Sequence, residues 1–366
     1  MDRYRVTNTH EIPTPALLVY REIVEENIRS IGEMLGGYDR LRPHIKTHKM
    51  SRVARMEMEA GIDKFKCATP KEAALLAAVG ATDILISYPI VGAAIERVVG
   101  LKTCHPGVDL KVIADDEGAL HALSRACASA GVTLGVTLDL DTGMQRTGVL
   151  PGEATLALAR TLTHLPGLTF EGLHVYDGHV MDTESDGRGQ AASASIQKAV
   201  DTRLLLEKEG LEVPVLVASG SPGFAFTART PEVDEVSPGT WIFWDIGYGE
   251  SISAPFQWAA LVLSAVISTP GPDLITLDAG SKSIAPDTPA PHFRALGLPD
   301  GVEFGRRNEE HQVLRLPAGT PRPAVGDLFY LVPRHVCTTV NLWDEACVID
   351  PSGRFVETWP VDARGH

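Results

Sequence analysis

The stretch "RLRPHIKTHKM" places Lys46 between two histidines. Four basic side chains stand here at every second position, so in an extended strand they would share one face. They are Arg42, His44, Lys46 and His48. Positive neighbours and partial burial would destabilise the ammonium group of Lys46 and favour a free amine that can form a Schiff base. An exposed edge strand with Lys46 in water is the alternative that this stretch alone leaves open.

Other polar residues follow predicted strands at their C-terminal ends, where barrel enzymes place their catalytic groups. They are Thr69 after the second strand, Asp139 and Asp141 at the fifth with Arg146 in the loop beyond, and Tyr176, Asp177 and His179 at the sixth. With Lys46 at the end of the first strand, this pattern is typical of an active-site rim.

A loop rich in Gly and Ser, "SGSPG", follows the seventh predicted strand. Its candidate binding residues are Ser219, Gly220, Ser221 and Gly223. Taken alone, such a loop is more often a plain turn. Many barrels, however, hold a phosphate with backbone amides and hydroxyls after strand seven. Together with a strand-end lysine, the loop predicts a site for an aldehyde cofactor with a phosphate, and pyridoxal phosphate has both groups.

A second candidate site lies in "PRHVCTTVNLWDE", where His335 and Cys337 are two residues apart. On a strand the imidazole and the thiol would point the same way and could bind one divalent ion. Two protein ligands leave several positions open, which suits a catalytic or substrate-binding ion. A histidine beside a buried structural cysteine is the alternative.

The elements that position these residues fall into two groups. Up to about residue 240, short β-branched runs alternate with Ala- and Leu-rich amphipathic segments, which predicts eight strand and helix units in a (β/α)8 TIM-type barrel. The strand segments are "LRPHIK", "KFKCAT", "DILISYP", "DLKVIAD", "LGVTLDL", "GLHVYDG", "PVLVASG" and "DEVSPG". After about residue 250 the pattern predicts strands joined by Pro- and Gly-rich turns. We expect a barrel over residues 14–245 and an all-β domain over 246–366 with residues 1–13.

Composition excludes several classes of protein. The formal net charge of -14 argues against a nucleic-acid partner, which would need a basic face. No apolar run reaches the length of a membrane span, and the first residues lack the apolar core of a signal peptide. The five cysteines are scattered and odd in number, which is not a disulfide framework. We therefore expect a cytoplasmic protein with a small-molecule substrate.

Seven stretches resemble the D-threonine aldolase and D-serine dehydratase family, which shares the alanine racemase barrel. They occur in the family's order over nearly the whole chain: "IPTPALLVY", "RPHIKTHK", "DLDTGMQRTGV", "GLHVYDGH", "LDAGSKS", "EEHQVLRL" and "LVPRHVCTTVNLWDE". The resemblance implies a pyridoxal phosphate enzyme with a divalent metal (Mn²⁺, Mg²⁺ or Zn²⁺). It also implies a homodimer with the active site at its interface, acting on a D-amino acid.

Site residues carry over from the family by position. Lys46 matches the Schiff-base lysine, and Arg146 matches the arginine near the phenolic oxygen of the cofactor. Residues 219–223 match the phosphate-binding turn, and His335 with Cys337 matches the metal pair. Tyr176 and Tyr248 are further candidate cofactor contacts, and Tyr176 and His179 are candidate catalytic residues.

Some residues of the chain favour an aldolase reaction and others favour a dehydratase reaction. Known aldolases of the family carry a histidine where this chain has Asp182, and His-x-Asp where it has His-x-Cys, so Cys337 favours a dehydratase. The stretches "RLRPHIKTHKM", "KFKCAT" and "VYDGH" favour the bacterial branch grouped with the aldolases, and His179 could replace the missing base. We expect an aldolase that yields glycine and an aldehyde. A dehydratase of D-serine or D-3-hydroxyaspartate, giving a 2-oxo acid and ammonia, is the alternative.

Three other classes fit less well. A non-catalytic pyridoxal phosphate carrier would lack the second domain. A racemase would need a second acid or base on the β domain, and the stretch around Tyr330 aligns with the metal segment instead. A metal-dependent barrel hydrolase would carry His-x-His on its first strand, and His44 and His48 do not have that spacing.

Overall fold

The computed structural model describes residues 2–180 and 184–366 of the 366-residue chain. Its α-helices are α1 Arg21–Leu35, α2 Ser51–Glu59, α3 Pro70–Val79, α4 Ala93–Cys104, α5 Glu117–Ala130, α6 Glu153–Thr163, α7 Ser185–Lys208, α8 Phe224–Thr227, α9 Ile246–Gly249 and α10 Val336–Val340. Short 3-10 turns occur at Asp2–Tyr4, Thr9–Glu11, Ile45–Thr47 and Thr240–Ile242.

The strands fall into two sheets. They are β1 Ala16–Tyr20, β2 Lys64–Cys67, β3 Asp83–Ile86, β4 Asp109–Ala114, β5 Leu134–Leu140, β6 Leu168–Val175, β7 Val215–Ala218, β8 Glu235–Val236, β9 Ala260–Gly271, β10 Leu274–Leu277, β11 Phe293–Leu296, β12 Glu303–Arg307, β13 Gln312–Arg315, β14 Leu328–Pro333, β15 Glu345–Ile349 and β16 Phe355–Pro360.

The chain divides into two compact units. One, here called the barrel unit, comprises residues 31–46, 54–180 and 184–239 of the described chain. The other, the β unit, comprises residues 2–30, 47–53 and 240–365. Strand β1 is part of the β unit, where it pairs in parallel with β15 and antiparallel with β9.

Within the described residues of the barrel unit, seven parallel strands run in the order β2 to β8. Several elements match the sequence patterns closely, such as β5 at "LGVTLDL" and α5, which ends in a left-handed Gly131. The first of the eight expected strands, "LRPHIK", is not regular. Leu41 forms a single parallel bridge to Val236 and His44 forms one to Lys66, which brings this segment between β8 and β2.

The predicted strand around Lys46 is therefore wrong in its local geometry. Pro43 has no N–H for a strand ladder, and the chain then enters the 3-10 turn Ile45–Thr47. Lys46 consequently lies in a turn and not on a strand face. The barrel fold itself is confirmed, with seven regular strands and one irregular segment in the described chain.

The β unit is built on β9. In the described residues nine strands form one sheet, with the path β12, β13, β10, β9, β1, β15 and β16, while β14 pairs with β9 and β11. Continuous apolar runs in the first part of β9 and in β14 explain their central place, since these runs are buried. Among the described helices, none combines the length and apolar character needed to cross a membrane.

A buried ion cluster lies at the N-terminal ends of the barrel strands. Arg42 is only 2% exposed and bonds Glu235 (Nε to Oε2, 2.5 Å) and Asp83 (Nη1 to Oδ1, 2.6 Å). Lys111 bonds Asp83 as well, at 2.9 Å. The cluster satisfies a guanidinium that would otherwise be buried without partners.

Replacing Glu235 by Gln is expected to destabilise the barrel unit by about 3 kcal/mol, because it removes one carboxylate from a buried guanidinium. Thermal unfolding followed by circular dichroism measures this as a lowered Tm. Asp109→Asn is the control. Asp109 is 59% exposed beside Lys111, so its loss should change stability by less than about 0.5 kcal/mol. Equal effects of the two substitutions would contradict the role assigned to the cluster.

Candidate active site

A cavity of about 330 Å³ opens at the C-terminal ends of the barrel strands, and all its walls come from the barrel unit. It is lined by His44, Lys46, Lys66, Ala68, Ser87, Tyr88, Pro89, Arg146, Thr147, His174 and Tyr176. Two lysines and an arginine face this space with no carboxylate among the lining residues. Such a cavity attracts an anion, for instance a phosphate or a carboxylate.

Lys46 and Arg146 both approach the ring of Tyr176. The Lys46 Nζ lies 5.6 Å from the ring centroid, and the Arg146 guanidinium carbon lies 4.7 Å from it. Contacts of this kind hold a cation by the electron density of the ring face. The structure thus brings together Lys46, Arg146 and Tyr176, three of the residues that the sequence nominates.

Two functional candidates in this cavity are missing from the sequence-based set. Lys66 is fully buried, and its Nζ donates to Ser237 Oγ at 2.5 Å. It also lies 3.4 Å from His174 Nε2. Burial, followed by the nearby charge of Lys46, lowers the pKa of Lys66 to about 7. A lysine with this pKa is a neutral amine in part of the population at neutral pH.

His174 is held by Asp139, the residue directly across from it in the pairing of β5 with β6. The His174 Nδ1 to Asp139 Oδ1 distance is 2.7 Å, and the Thr147 hydroxyl donates to the other oxygen of Asp139 at 2.8 Å. Burial lowers the pKa of His174, with a further contribution from the charge of Lys66. Strand periodicity contains a signal for His174, because it lies two residues before the candidate Tyr176. Lys66 has no candidate residue at that spacing on β2.

The loop of residues 219–223 is buried and is fixed by Asp177. Asp177 accepts hydrogen bonds from the Gly220 amide at 2.6 Å and from the Ser219 hydroxyl at 3.0 Å. A Cβ at Gly220 would come within 2.6 Å of the Tyr176 ring, and one at Gly223 would meet Asp177 Oδ2 at 2.1 Å. Both positions therefore need glycine, since no side chain fits there.

Two contacts join this loop to the segment after β8. The Ser237 hydroxyl donates to the Ser219 carbonyl at 3.0 Å, and the Gly239 amide donates to the Ser221 hydroxyl at 3.3 Å. Loops after strands seven and eight form the phosphate site in many barrels. The predicted phosphate-binding loop thus has a defined, buried conformation in the barrel unit.

Of the other candidates in the described chain, residues 219–223, His179 and Tyr248 are not among the residues that line this cavity. His179 is exposed and packs against Gly143. A Cβ on Gly143 would lie only 2.8 Å from His179 Nε2. Gly143 belongs to the loop that also contains Arg146. Tyr248 lies in α9 of the β unit, with its ring 5.8 Å from that of Trp244. Asp182 lies outside the described residues, and the roles of His179 and Tyr248 stay predictions.

The metal candidates His335 and Cys337 lie in the β unit, at the start of α10 and not on a strand as predicted. β14 ends at Pro333, His335 has extended backbone angles as the N-cap residue, and Cys337 is in the first turn. The two side chains still reach each other, within hydrogen-bonding distance. Burial alone would lower the pKa of His335, but Cys337 and Asp287 outweigh it and raise this pKa to about 9.

Neighbouring residues fix both members of this pair. Cys337 Sγ lies 3.1 Å from the Thr47 hydroxyl and 3.6 Å from that of Thr240. Asp245 accepts the Val336 amide at 3.1 Å and so caps the start of α10. In the described part of the chain, no group of three or more His, Cys, Asp or Glu side chains surrounds a common metal position. The donor set is therefore one imidazole and one thiolate, which suits a divalent ion with open positions.

The barrel unit has a lysine in a cationic cavity at its strand ends, and the chain also has a mostly β unit. These features are typical of barrel proteins that bind a phosphorylated cofactor. The chain belongs to the family defined by the alanine racemase N-terminal domain, whose model matches residues 20–246. The family consists of pyridoxal-phosphate-dependent enzymes. A putative serine dehydratase domain matches residues 259–349.

Two curated relatives cover 97% of this chain and 93% of their own length. They are a D-threonine aldolase of Arthrobacter sp., 31% identical, and a 3-hydroxy-D-aspartate aldolase of Paracoccus denitrificans, 30% identical. Among solved structures, D-threonine aldolase from Filomicrobium marinum superposes with a TM-score of 0.91 at 29% identity, covering 99% of this chain and 98% of its own. The family resemblance read from the sequence is confirmed.

A third relative is a dehydratase. The D-threo-3-hydroxyaspartate dehydratase from Delftia sp. HT23 is solved as a variant with a cysteine replaced by alanine, described as the metal-free form. That structure has a TM-score of 0.85 at 26% identity and covers 97% of this chain and 98% of its own. Another variant replaces a histidine two positions earlier. Aldolases and dehydratases are thus both homologues of this chain, and the expected lyase class is confirmed.

Proposed function

We propose that the protein uses pyridoxal phosphate and a divalent metal ion to cleave D-3-hydroxy amino acids to glycine and an aldehyde, as a D-threonine aldolase does. The observation that carries the proposal is the cavity where Lys46, Arg146 and Tyr176 meet, in a chain that aligns over 97% of its length with an aldolase. The greater similarity to the aldolases than to the dehydratase, 31% against 26% identity, supports the reaction type.

The barrel residues fit the cofactor. The cavity offers an amine on Lys46 and fixed positive charge on Arg146, and the loop held by Asp177 presents glycines where backbone must approach closely. Lys46 would hold the aldehyde carbon, Arg146 would face the phenolic oxygen, and residues 219–223 would hold the phosphate. When bound, the cofactor supplies an electron sink for the bond that breaks at Cα of the substrate.

The residues around the cofactor site have separate tasks. Tyr176 packs on Gly220 and lies under both Lys46 and Arg146, so it fixes the direction of the two cations. Lys66 and His174, backed by Asp139, form a polar floor whose hydrogen bonds are satisfied within the barrel unit. Lys46 lines the cavity, so its Nζ would be placed to carry a proton at the substrate.

The β unit fits a divalent ion. His335 and Cys337 supply one nitrogen and one sulfur, and such a pair can bind Mn²⁺, Zn²⁺ or Mg²⁺. The sulfur ligand makes the hard ion Mg²⁺ the least favoured of the three. A bound ion would act as a Lewis acid on the 3-hydroxyl of the substrate. The dehydratase variants support the assignment, since a histidine and a cysteine with the same spacing were replaced there and the cysteine variant was solved in a metal-free form.

Cys337 is also the observation that favours a second candidate, a dehydratase acting on D-serine or D-3-hydroxyaspartate. In that reaction a base would take the Cα proton and the 3-hydroxyl would leave, and an ion held by His335 and Cys337 would supply Lewis acidity at that hydroxyl. The same residues would hold the same groups, so the two reactions differ in which bond at the substrate breaks.

Product analysis separates the two reactions. Purified protein is incubated with pyridoxal phosphate and Mn²⁺ or Zn²⁺, and then with D-threonine, D-serine or D-3-hydroxyaspartate. We expect glycine and acetaldehyde from D-threonine. Ammonia and a 2-oxo acid without glycine would refute the aldolase and favour the dehydratase.

His179 is the proposed base that takes the proton of the 3-hydroxyl. His179 follows β6 and lies beside Gly143, which is in the same loop as Arg146, and this location supports the assignment. His179→Gln should lower the turnover of D-threonine about 100-fold, because a positioned base typically contributes at least that factor. Bound cofactor and metal are measured in the same samples and should stay at wild-type levels. Normal cleavage by the variant would remove His179 from the mechanism.

Assembly and domain roles complete the proposal. We assign cofactor binding to residues 14–245 and metal binding to residues 246–366 with 1–13, in a cytoplasmic homodimer whose active site lies at the interface. The family resemblance supports the dimer, and the charge and composition support the location. Light scattering on a sizing column tests the dimer, which should have twice the chain mass of 39.3 kDa.

A further inference from the structure

Asp287 makes a direct contact with the metal candidate His335. Its Oδ2 lies 2.6 Å from His335 Nδ1, and the side chains of the two residues are 37% and 35% exposed. Nδ1 is engaged in this bond, so Nε2 is the nitrogen that His335 can direct at a metal ion. A histidine ligand is oriented by the hydrogen bond that its other nitrogen makes.

Asp287 is itself held in place by α10. The Thr338 hydroxyl donates to Asp287 Oδ1 at 3.0 Å, so both carboxylate oxygens have a partner. Two residues earlier in the same loop, the Ala285 amide donates to the Thr339 hydroxyl at 3.2 Å. The first turn of α10 therefore ties down the loop that presents Asp287, and the loop in turn fixes the imidazole at the start of α10.

We propose that Asp287 is a positioning residue of the metal site, which fixes the tautomer and the ring direction of His335 so that Nε2 faces the ion beside Cys337. This inference rests on the proposed metal function of His335 and Cys337. Each Asp287 oxygen is already engaged, one with His335 and one with Thr338, so we assign Asp287 a supporting role and not that of a ligand. Carboxylates in this position raise the basicity of a histidine ligand, and their loss typically weakens metal binding 10- to 100-fold.

A simple surface ion pair is the competing explanation. Such a pair contributes little to stability and nothing to metal affinity. The two explanations differ in one measurable quantity, the affinity of the site for a divalent ion.

The experiment titrates the whole, metal-stripped protein with Co²⁺ and follows the thiolate-to-cobalt charge-transfer absorption, which reports coordination by Cys337. For Asp287→Ala we expect a Kd about 10- to 100-fold weaker than for the wild type. Asp287→Asn should lie between the two, since an amide oxygen still accepts from Nδ1 but carries no charge. Glu310→Ala is the control, because Glu310 is also an exposed carboxylate in an ion pair, 2.7 Å from Lys282.

The outcomes separate this inference from the function on which it rests. If the wild type shows no charge-transfer absorption with Co²⁺, the metal assignment of His335 and Cys337 fails, and Asp287 fails with it. If the wild type binds Co²⁺ and both Asp287 variants bind it equally well, the metal site stands and the role of Asp287 is refuted. Thermal unfolding of each variant shows which proteins are folded. If Asp287→Ala does not fold, Asp287→Asn still decides the test.

Discussion

Lys46→Ala is expected to lower turnover of the D-amino acid substrate by at least about 10⁴-fold, the scale of loss when a covalent catalytic group is removed. The variant loses the amine that would hold the aldehyde carbon of the cofactor. Arg146 and the loop of residues 219–223 remain, so pyridoxal phosphate should still bind without a covalent bond. Equilibrium dialysis of the cofactor, together with turnover, measures both effects.

Borohydride reduction followed by peptide mass mapping identifies the lysine that holds the cofactor. In the wild type the label should appear on Lys46, and in Lys46→Ala it should be absent. Lys66 is the competing amine, because it lies in the same cavity and its pKa is lowered to about 7 by burial and by Lys46. Lys66→Met is therefore the control and should retain the label on Lys46. A label on Lys66 in the wild type, or wild-type turnover by Lys46→Ala, would refute the assignment.

The barrel was predictable wherever a segment carried its own local signal. β5 is a continuous apolar run that ends in Asp139 and Leu140, and α3 begins after the cap Thr69 and ends at a left-handed Gly80. The segment around Lys46 lacks such a signal. Its bridges come from Leu41 and His44 alone, and a 3-10 turn has no hydrophobic period that a short sequence could reveal.

The contacts and the burial of the polar floor were not predictable from the sequence, for a physical reason. Asp139 was nominated as a strand-end residue, but its partner His174 is 35 residues later in the chain and meets it only through the register of β5 with β6. Lys66 reads as an ordinary strand lysine because its burial is a property of the closed barrel. Register and burial are tertiary quantities, and single-chain patterns do not contain them.

The two-residue spacing predicts that the side chains of His335 and Cys337 lie together, which the structure shows, but the strand predicted for them is wrong. A separation of two residues suits a strand, yet His335 is an extended N-cap residue and Cys337 lies in the helix that follows. Their side chains converge because the chain turns between them. Asp287, the proposed support of His335, is 48 residues earlier, and nothing in the sequence connects the two.

Removing the metal pair should stop the chemistry and spare the cofactor. His335→Ala and Cys337→Ala each delete one of the two proposed metal ligands. We therefore expect metal affinity and turnover to fall together by more than about 100-fold, the upper effect of losing a supporting residue. Chelator treatment of the wild type should do the same, and added Mn²⁺ or Zn²⁺ should reverse it.

The label on Lys46 should persist in both variants, because the cavity around Lys46 is lined by barrel residues only. Cys104→Ala is the matched control, since Cys104 is an exposed thiol at the end of α4 and should affect neither metal content nor turnover. Metal content by mass spectrometry, turnover and labelling are measured on the same preparations. Full activity in metal-free protein would mean that His335 and Cys337 are packing residues, and loss of the label with the metal would mean that the ion supports the cofactor site and not the substrate.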